Sequence, residues 1–169
     1  MASEESCQSN QYLTFVLDEE DFALEILKVK EVLDLTNITR VPRMPDYLCG
    51  VINLRGNVVP VIDLRLKLGM TPIQRTVDTC IVIMEIHIEG ELLQIGALTD
   101  AVKGVIEFES NNIVPAPKLG TRFNTEFIRG MGKQNDSFII ILDIDRVLSS
   151  DEISALNDFA SKTNNSTIQ

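Results

Sequence analysis

The amino-acid sequence predicts an all-β protein with short helices and a C-terminal helix, folded as two small barrel units around a shared hydrophobic core. Three observations predict it. Apolar residues recur at a period of two along most of the chain, as half-buried strands require. The chain also repeats itself, since Tyr47-Leu48-x-Gly50-Val51 returns as Phe127-Ile128-x-Gly130-Met131 at an offset of 80. Each repeat holds roughly five short strands, too few for a sandwich but suited to a small closed barrel, whose closure removes exposed sheet edges.

In chain order, Leu13, Phe15 and Leu17 alternate with Tyr12, Thr14 and Val16, and Phe22, Leu24 and Ile26 resume the period after Asp18-Glu19-Glu20, giving a strand, a turn and a strand. The rhythm changes over Ile26 to Val32, where a short helical turn is expected. Val32 to Val41 is rich in β-branched residues and stops at Pro42, which predicts a third strand. Tyr47 to Leu54 and Val58 to Leu64 are two strands hinged at Arg55-Gly56-Asn57, with Gly56 at the first central turn position suiting a type II′ hairpin. Asp78 to Ile88 and Glu91 to Leu98 form the next pair across Glu89-Gly90, followed by Ala101 to Phe108, Phe127 to Gly132 and Ser137 to Ile144. Arg65 to Leu68 and Arg146 to Leu148 read as short helical closures. Glu152, Ile153, Leu156 and Phe159 have helical spacing behind an Asp151 cap, so a helix is expected over 151–161. The domain therefore spans 11–161 as two intertwined barrel subdomains, with flexible tails at 1–10 and 162–169.

The duplication extends beyond its first string. Val58-Val59-x-Val61-Ile62-Asp63-Leu64 lies over Phe138-Ile139-x-Ile141-Leu142-Asp143-Ile144 at the same offset, and Leu68 over Leu148. Val29-Lys30-Glu31-Val32 with Val41-Pro42 returns as Val102-Lys103-Gly104-Val105 with Val114-Pro115, at an offset of 73. Short β patterns agree by chance often, but a gapless match that keeps both a glycine and an aspartate favours true repetition. Neither half buries enough surface alone, so the halves should share an apolar layer.

Composition narrows the function. The 169 residues carry a formal net charge of −10, which repels nucleic acid and excludes it as an expected partner. No apolar run reaches the ~18 residues of a membrane span, so no membrane insertion is expected, and Met1 to Asn10 has no secretory pattern, which predicts a cytoplasmic protein. Cys7, Cys49 and Cys80 fit neither a disulfide framework nor a paired thiolate site.

Candidate chemistry is sparse. Asp63 and Asp143 are the best carboxylates for acid/base work, but both follow a strand and precede a helical turn, where a carboxylate caps backbone N–H groups or accepts another backbone hydrogen bond. His87 is the single histidine, which leaves no multi-histidine metal site. Gly130-Met131-Gly132-Lys133 lacks the spacing and the Ser/Thr of a phosphate loop. No Gly-x-Ser-x-Gly elbow and no His-Glu-x-x-His segment occurs. The expectation is a protein that is not an enzyme, with no cofactor and no metal.

Phe22-Ala23-Leu24-Glu25-Ile26-Leu27-Lys28-Val29-Lys30-Glu31-Val32, then Gly50-Val51-Ile52-Asn53-Leu54-Arg55-Gly56 and Val59-Pro60-Val61-Ile62-Asp63-Leu64-Arg65, closely resemble the CheW family of bacterial chemotaxis coupling proteins. The resemblance spans about residues 11 to 161, and its most specific part is the Asn-Leu-Arg-Gly hairpin joined to Val-Pro-x-x-Asp-Leu-Arg. It implies two five-stranded SH3-like barrels and a non-catalytic adaptor in signalling arrays. The implied partners are the cytoplasmic tips of methyl-accepting chemoreceptors and the regulatory domain of the histidine kinase CheA. The receptor's helical hairpin would lie in the groove between the barrels, against residues matching Val29, Glu31, Gly50 and Arg55.

Each of these four has a plainer reading. Val29 has an equal claim as a core residue, Gly50 as a backbone bend, and Glu31 and Arg55 as solvated charges. Arg55 stands out because the second copy has Lys133-Gln134-Asn135-Asp136 where the first has Asn53-Leu54-Arg55-Gly56. No kinase motif or receiver-like βα alternation fits the chain, so a free-standing coupler is expected. The alternative is a small-molecule-binding or hydrolytic barrel, which polar residues converging in a pocket would support.

Overall fold

A computed structural model describes residues 10–88, 90–115 and 127–148, together with Glu152 and Ala155. The strands are β1 (Gln11–Leu17), β2 (Glu20–Glu25), β3 (Val29–Asp34), β4 (Leu48–Leu54), β5 (Asn57–Asp63), β6 (Cys80–Ile88), β7 (Glu91–Thr99), β8 (Ala101–Glu107), β9 (Ile113–Val114), β10 (Ile128–Gln134) and β11 (Ser137–Leu142). Two short helices, α1 (Leu64–Lys67) and α2 (Ile144–Val147), follow β5 and β11. Sheet order is β8-β1-β2-β11-β10-β9 in one subdomain and β3-β6-β7-β5-β4 in the other. The protein is mostly β, with two β subdomains, as the sequence predicts.

The duplication is visible in the hydrogen-bond ladders. A bulge falls between Leu48 and Gly50 in β4 and between Ile128 and Gly130 in β10. Val61 of β5 pairs in parallel with Gly96 of β7, and its counterpart Ile141 of β11 pairs in parallel with Ala23 of β2. The Asp63 N–H donates to the Tyr47 carbonyl at 2.7 Å, and the Asp143 N–H to the Phe127 carbonyl at 2.8 Å.

A barrel is nevertheless not a half of the sequence. The β1–β2 hairpin of the first copy joins β8 to β11 of the second, while β6 and β7 of the second copy join β3, β4 and β5 of the first. Each copy gives its N-terminal hairpin to the other copy's remaining strands. One apolar cluster runs through both subdomains, from Phe15, Phe22 and Leu24 to Val61, Ile83 and Ile95. A smaller one, with Tyr12, Phe108, Ile139 and Ile141, fills the six-stranded subdomain. The shared layer expected from the small size of each half is built by interpenetration.

Several boundaries differ from expectation. The helical turn is a 3-10 turn at Ile26–Lys28 and β3 begins at Val29, so the third strand starts and ends earlier than Val32 to Val41. Beyond it the chain leaves the ladder and returns at Thr39, whose N–H and C=O bond Val51 at 2.8 and 2.9 Å. β9 is two residues long, too short for a periodic signal. Glu152 and Ala155 are helical, and the rest of the 151–161 helix lies outside the described residues, as do the tails 1–9 and 162–169.

Candidate functional site

The Asn-Leu-Arg-Gly hairpin folds as β4, a two-residue turn and β5, with Leu54 paired to Asn57. Arg55 and Gly56 are therefore the central turn residues, and their φ angles of 51° and 89° make a type I′ turn, not type II′. The turn thus lies one residue earlier than a type II′ turn with Gly56 at its first central position. Asn53 Oδ1 accepts from the Gly56 N–H at 2.8 Å and holds the tip. A left-handed arginine costs roughly 1 kcal/mol that glycine would avoid and asparagine would lessen. The second copy has Asn135 there, at φ 54°.

Arg55 is 66% exposed, yet its guanidinium is engaged. Both terminal nitrogens reach the Glu31 carboxylate of β3, with Nη1 to Oε1 at 3.3 Å and Nη2 on Oε2. This fork-to-fork geometry fixes orientation better than a point contact. Glu31 follows a bulge between Val29 and Glu31 in the pairing with β6, and bulges re-aim side chains. Val29 is half-buried, packing on the main core directly after the 3-10 turn. Of the four predicted residues the structure brings Glu31 and Arg55 into contact, with Val29 two residues before Glu31 at the start of β3.

Gly50 is different. It is buried at φ 146°, and a Cβ there would lie 2.1 Å from the Thr39 carbonyl oxygen. It lets the Thr39 strand cross β4, so its place is beneath the surface and not on it. Gly130 lies under Val114 in the same way, but its Cβ would stand 3.1 Å from that carbonyl.

The candidate carboxylates divide. Asp63 is buried; Oδ1 accepts from the Arg65 and Leu66 N–H groups at 2.9 and 3.3 Å, and Oδ2 from the Ile73 N–H at 3.0 Å. Asp143 makes no side-chain cap and instead meets Arg146 at 3.5 Å, so capping is right for one copy and wrong for the other. The α2 turn carries Arg146 within reach, which offers that carboxylate a solvated partner. His87 is exposed on β6.

Burial raises the Cys49 thiol to about 11, with Asp63 adding to the rise and Arg75 opposing it, so little thiolate forms near neutrality. Burial and then Glu152 push the Tyr47 phenol to about 12. Lys67 sits 4.6 Å from the centre of the Tyr47 ring and pairs with Glu152 at 2.5 Å, a cluster that ties the helical residue Glu152 to α1 and the turn before β4. Among the described residues no group of three or more His, Cys, Asp or Glu side chains converges to hold a metal ion, and no helix is long and apolar enough to cross a membrane. An apolar hollow of about 250 Å³ between the subdomains is lined by Phe22 and Ile140 on one side and Leu68 and Met70 on the other. None of Val29, Glu31, Gly50 and Arg55 lines it.

Residues 11–152 match the model of the CheW-like domain. The chain belongs to the CheW family. It is 32% identical over 150 residues to the chemotaxis protein CheW of Klebsiella aerogenes, covering 89% of this chain and 88% of that one. Against CheW of Helicobacter pylori it is 34% identical over 141 residues, covering 83% and 82%. The crystal structure of the scaffolding protein TtCheW from Thermoanaerobacter tengcongensis superposes with a TM-score of 0.75 at 34% identity, over 86% of this chain and 91% of that one. A chemotaxis scaffold role follows from CheW family membership, and the alternative of a ligand-binding or hydrolytic barrel gains no support.

Proposed function

We propose that this CheW-family scaffold is non-catalytic and cytoplasmic, and that it couples the cytoplasmic tips of chemoreceptors to the regulatory domain of the histidine kinase CheA within receptor arrays. Val29, Glu31 and Arg55 form the receptor-facing edge, and Gly50 supports it from below. The observation that carries the reading is the Arg55–Glu31 fork at a turn where the other copy keeps a backbone-friendly asparagine. The backbone at this turn favours glycine or asparagine, so the reason for an arginine lies in its side chain. A half-buried valine beside an orienting ion pair suits one face of a receptor helix, with the apolar step for affinity and the charges for register.

The test is co-sedimentation with a chemoreceptor cytoplasmic fragment. Arg55→Glu removes the guanidinium and sets a like charge beside Glu31, and is expected to abolish co-sedimentation while the thermal melt stays unchanged. Co-sedimentation equal to wild type would remove Arg55 from the interface. A pull-down with the CheA regulatory domain tests the second partner.

A further inference from the structure

Among the described residues the chain passes between the subdomains twice, from β2 to β3 through the Ile26–Lys28 turn and from β7 to β8 through Asp100 alone. These passages are equivalent in the duplication. Each leaves a strand that runs parallel to the last strand of a copy, β2 beside β11 and β7 beside β5. Each is then met by the helical turn after that neighbour. Lys28 Nζ lies 3.0 Å from Asp145 Oδ2 of α2, and Arg65 Nη1 of α1 lies 3.2 Å from Asp100 Oδ2.

Arg65 and Asp145 occupy the same place in the repeat, 80 residues apart, so the two clasps are one device with its charges reversed. They differ in strength. The Arg65 side chain is 12% exposed; it reaches both oxygens of Asp100, Thr71 Oγ1 at 2.7 Å and Asp18 at 3.6 Å, while Asp100 also accepts from the Asp18 N–H at 2.6 Å. Lys28 and Asp145 make one contact with 28% and 44% of their side chains exposed. A shielded, multiply bonded guanidinium holds its geometry, whereas a single solvated pair opens readily.

We infer that the Arg65 cluster is the fixed pivot between the subdomains and that Lys28–Asp145 is a releasable clasp positioning Val29 and the docking edge that starts there. Lys28 directly precedes Val29, and its neighbour Leu27 is 69% exposed on the same turn. Opening the clasp swings the turn that carries both residues. The link to docking rests on the receptor reading above; the hinge itself does not.

The experiment is a charge-swap cycle in the full chain, with Lys28→Glu, Asp145→Lys and the double variant. Spin labels at His87→Cys on β6 and Lys133→Cys on β10, both exposed and one per subdomain, are placed in a background where Cys7, Cys49 and Cys80 are alanine. Either reversal should broaden the interlabel distance distribution and weaken binding of a chemoreceptor cytoplasmic fragment by about five-fold, and the double variant should restore both. Having two single variants guards against one that fails to fold. Distributions as narrow as the unswapped protein in both, or no restoration in the double, would overturn the clasp. A width that responds at unchanged affinity would overturn its positioning role. If the unswapped protein does not bind the fragment, the docking reading fails while the distance widths still decide the hinge.

Discussion

The β4–β5 and β10–β11 hairpins occupy the same place in the two copies and share a bulge, a glycine beneath a crossing segment and a parallel neighbour. They part at the tip. The first ends in an arginine gripped by Glu31, the second in Asn135-Asp136. What both hairpins keep is what closes a barrel, and what only one keeps is available for selection by a partner. Asp63 and Asp143, and Gly50 and Gly130, also differ at matching places, the aspartates in what they bond and the glycines in φ and in how closely the crossing carbonyl approaches.

The largest break in this pairing should come from the glycines. Gly50→Ala forces a Cβ into the Thr39 carbonyl at a backbone angle that alanine rarely adopts, and should cost about 4 kcal/mol in urea denaturation. Gly130→Ala meets a 3.1 Å contact at an ordinary φ and should cost about 1 kcal/mol. Equal losses would mean that the two crossings are mechanically alike. Next come the aspartates. Asp63→Ala strands three backbone N–H groups and should cost about 3 kcal/mol, whereas Asp143→Ala should stay within about 0.5 kcal/mol by the same measurement. The smallest stability effect sharpens the comparison most. Arg55→Asn converts the first tip toward the second, relieves the left-handed arginine, and should raise stability by up to about 0.5 kcal/mol while losing receptor co-sedimentation. A variant that keeps co-sedimentation would make the two tips functionally equivalent.

Much of the fold was legible in the residues. The strands announced themselves by period, and the duplication by glycine and aspartate kept at one offset. Which strands pair was not legible, because a repeat shows that segments are alike and says nothing of whether a copy closes on itself. The early end of β3 was hidden by β-branched residues at Leu35–Val41, which in the structure cross over β4 at Thr39 instead of extending the strand. At the site, Val29, Glu31 and Arg55 were each visible as a residue of interest. Their meeting was not, since Glu31 and Arg55 lie 24 residues apart and pair only because β3 and the β4–β5 turn are folded to one edge. Gly50 is expected both as a contact and as a bend, and the Thr39 carbonyl oxygen 2.1 Å from where a Cβ would stand accounts for the bend.

The exchange of N-terminal hairpins carries a historical consequence. A single ancestral copy, with its first two strands missing from its own barrel, would have no closed sheet to occupy. Two such chains would complete each other as a hairpin-swapped homodimer, a low-cost route to assembly. The present chain has the topology of that dimer fused end to end, which makes both subunits obligatory, fixes their stoichiometry at one to one, and frees each to acquire its own surface.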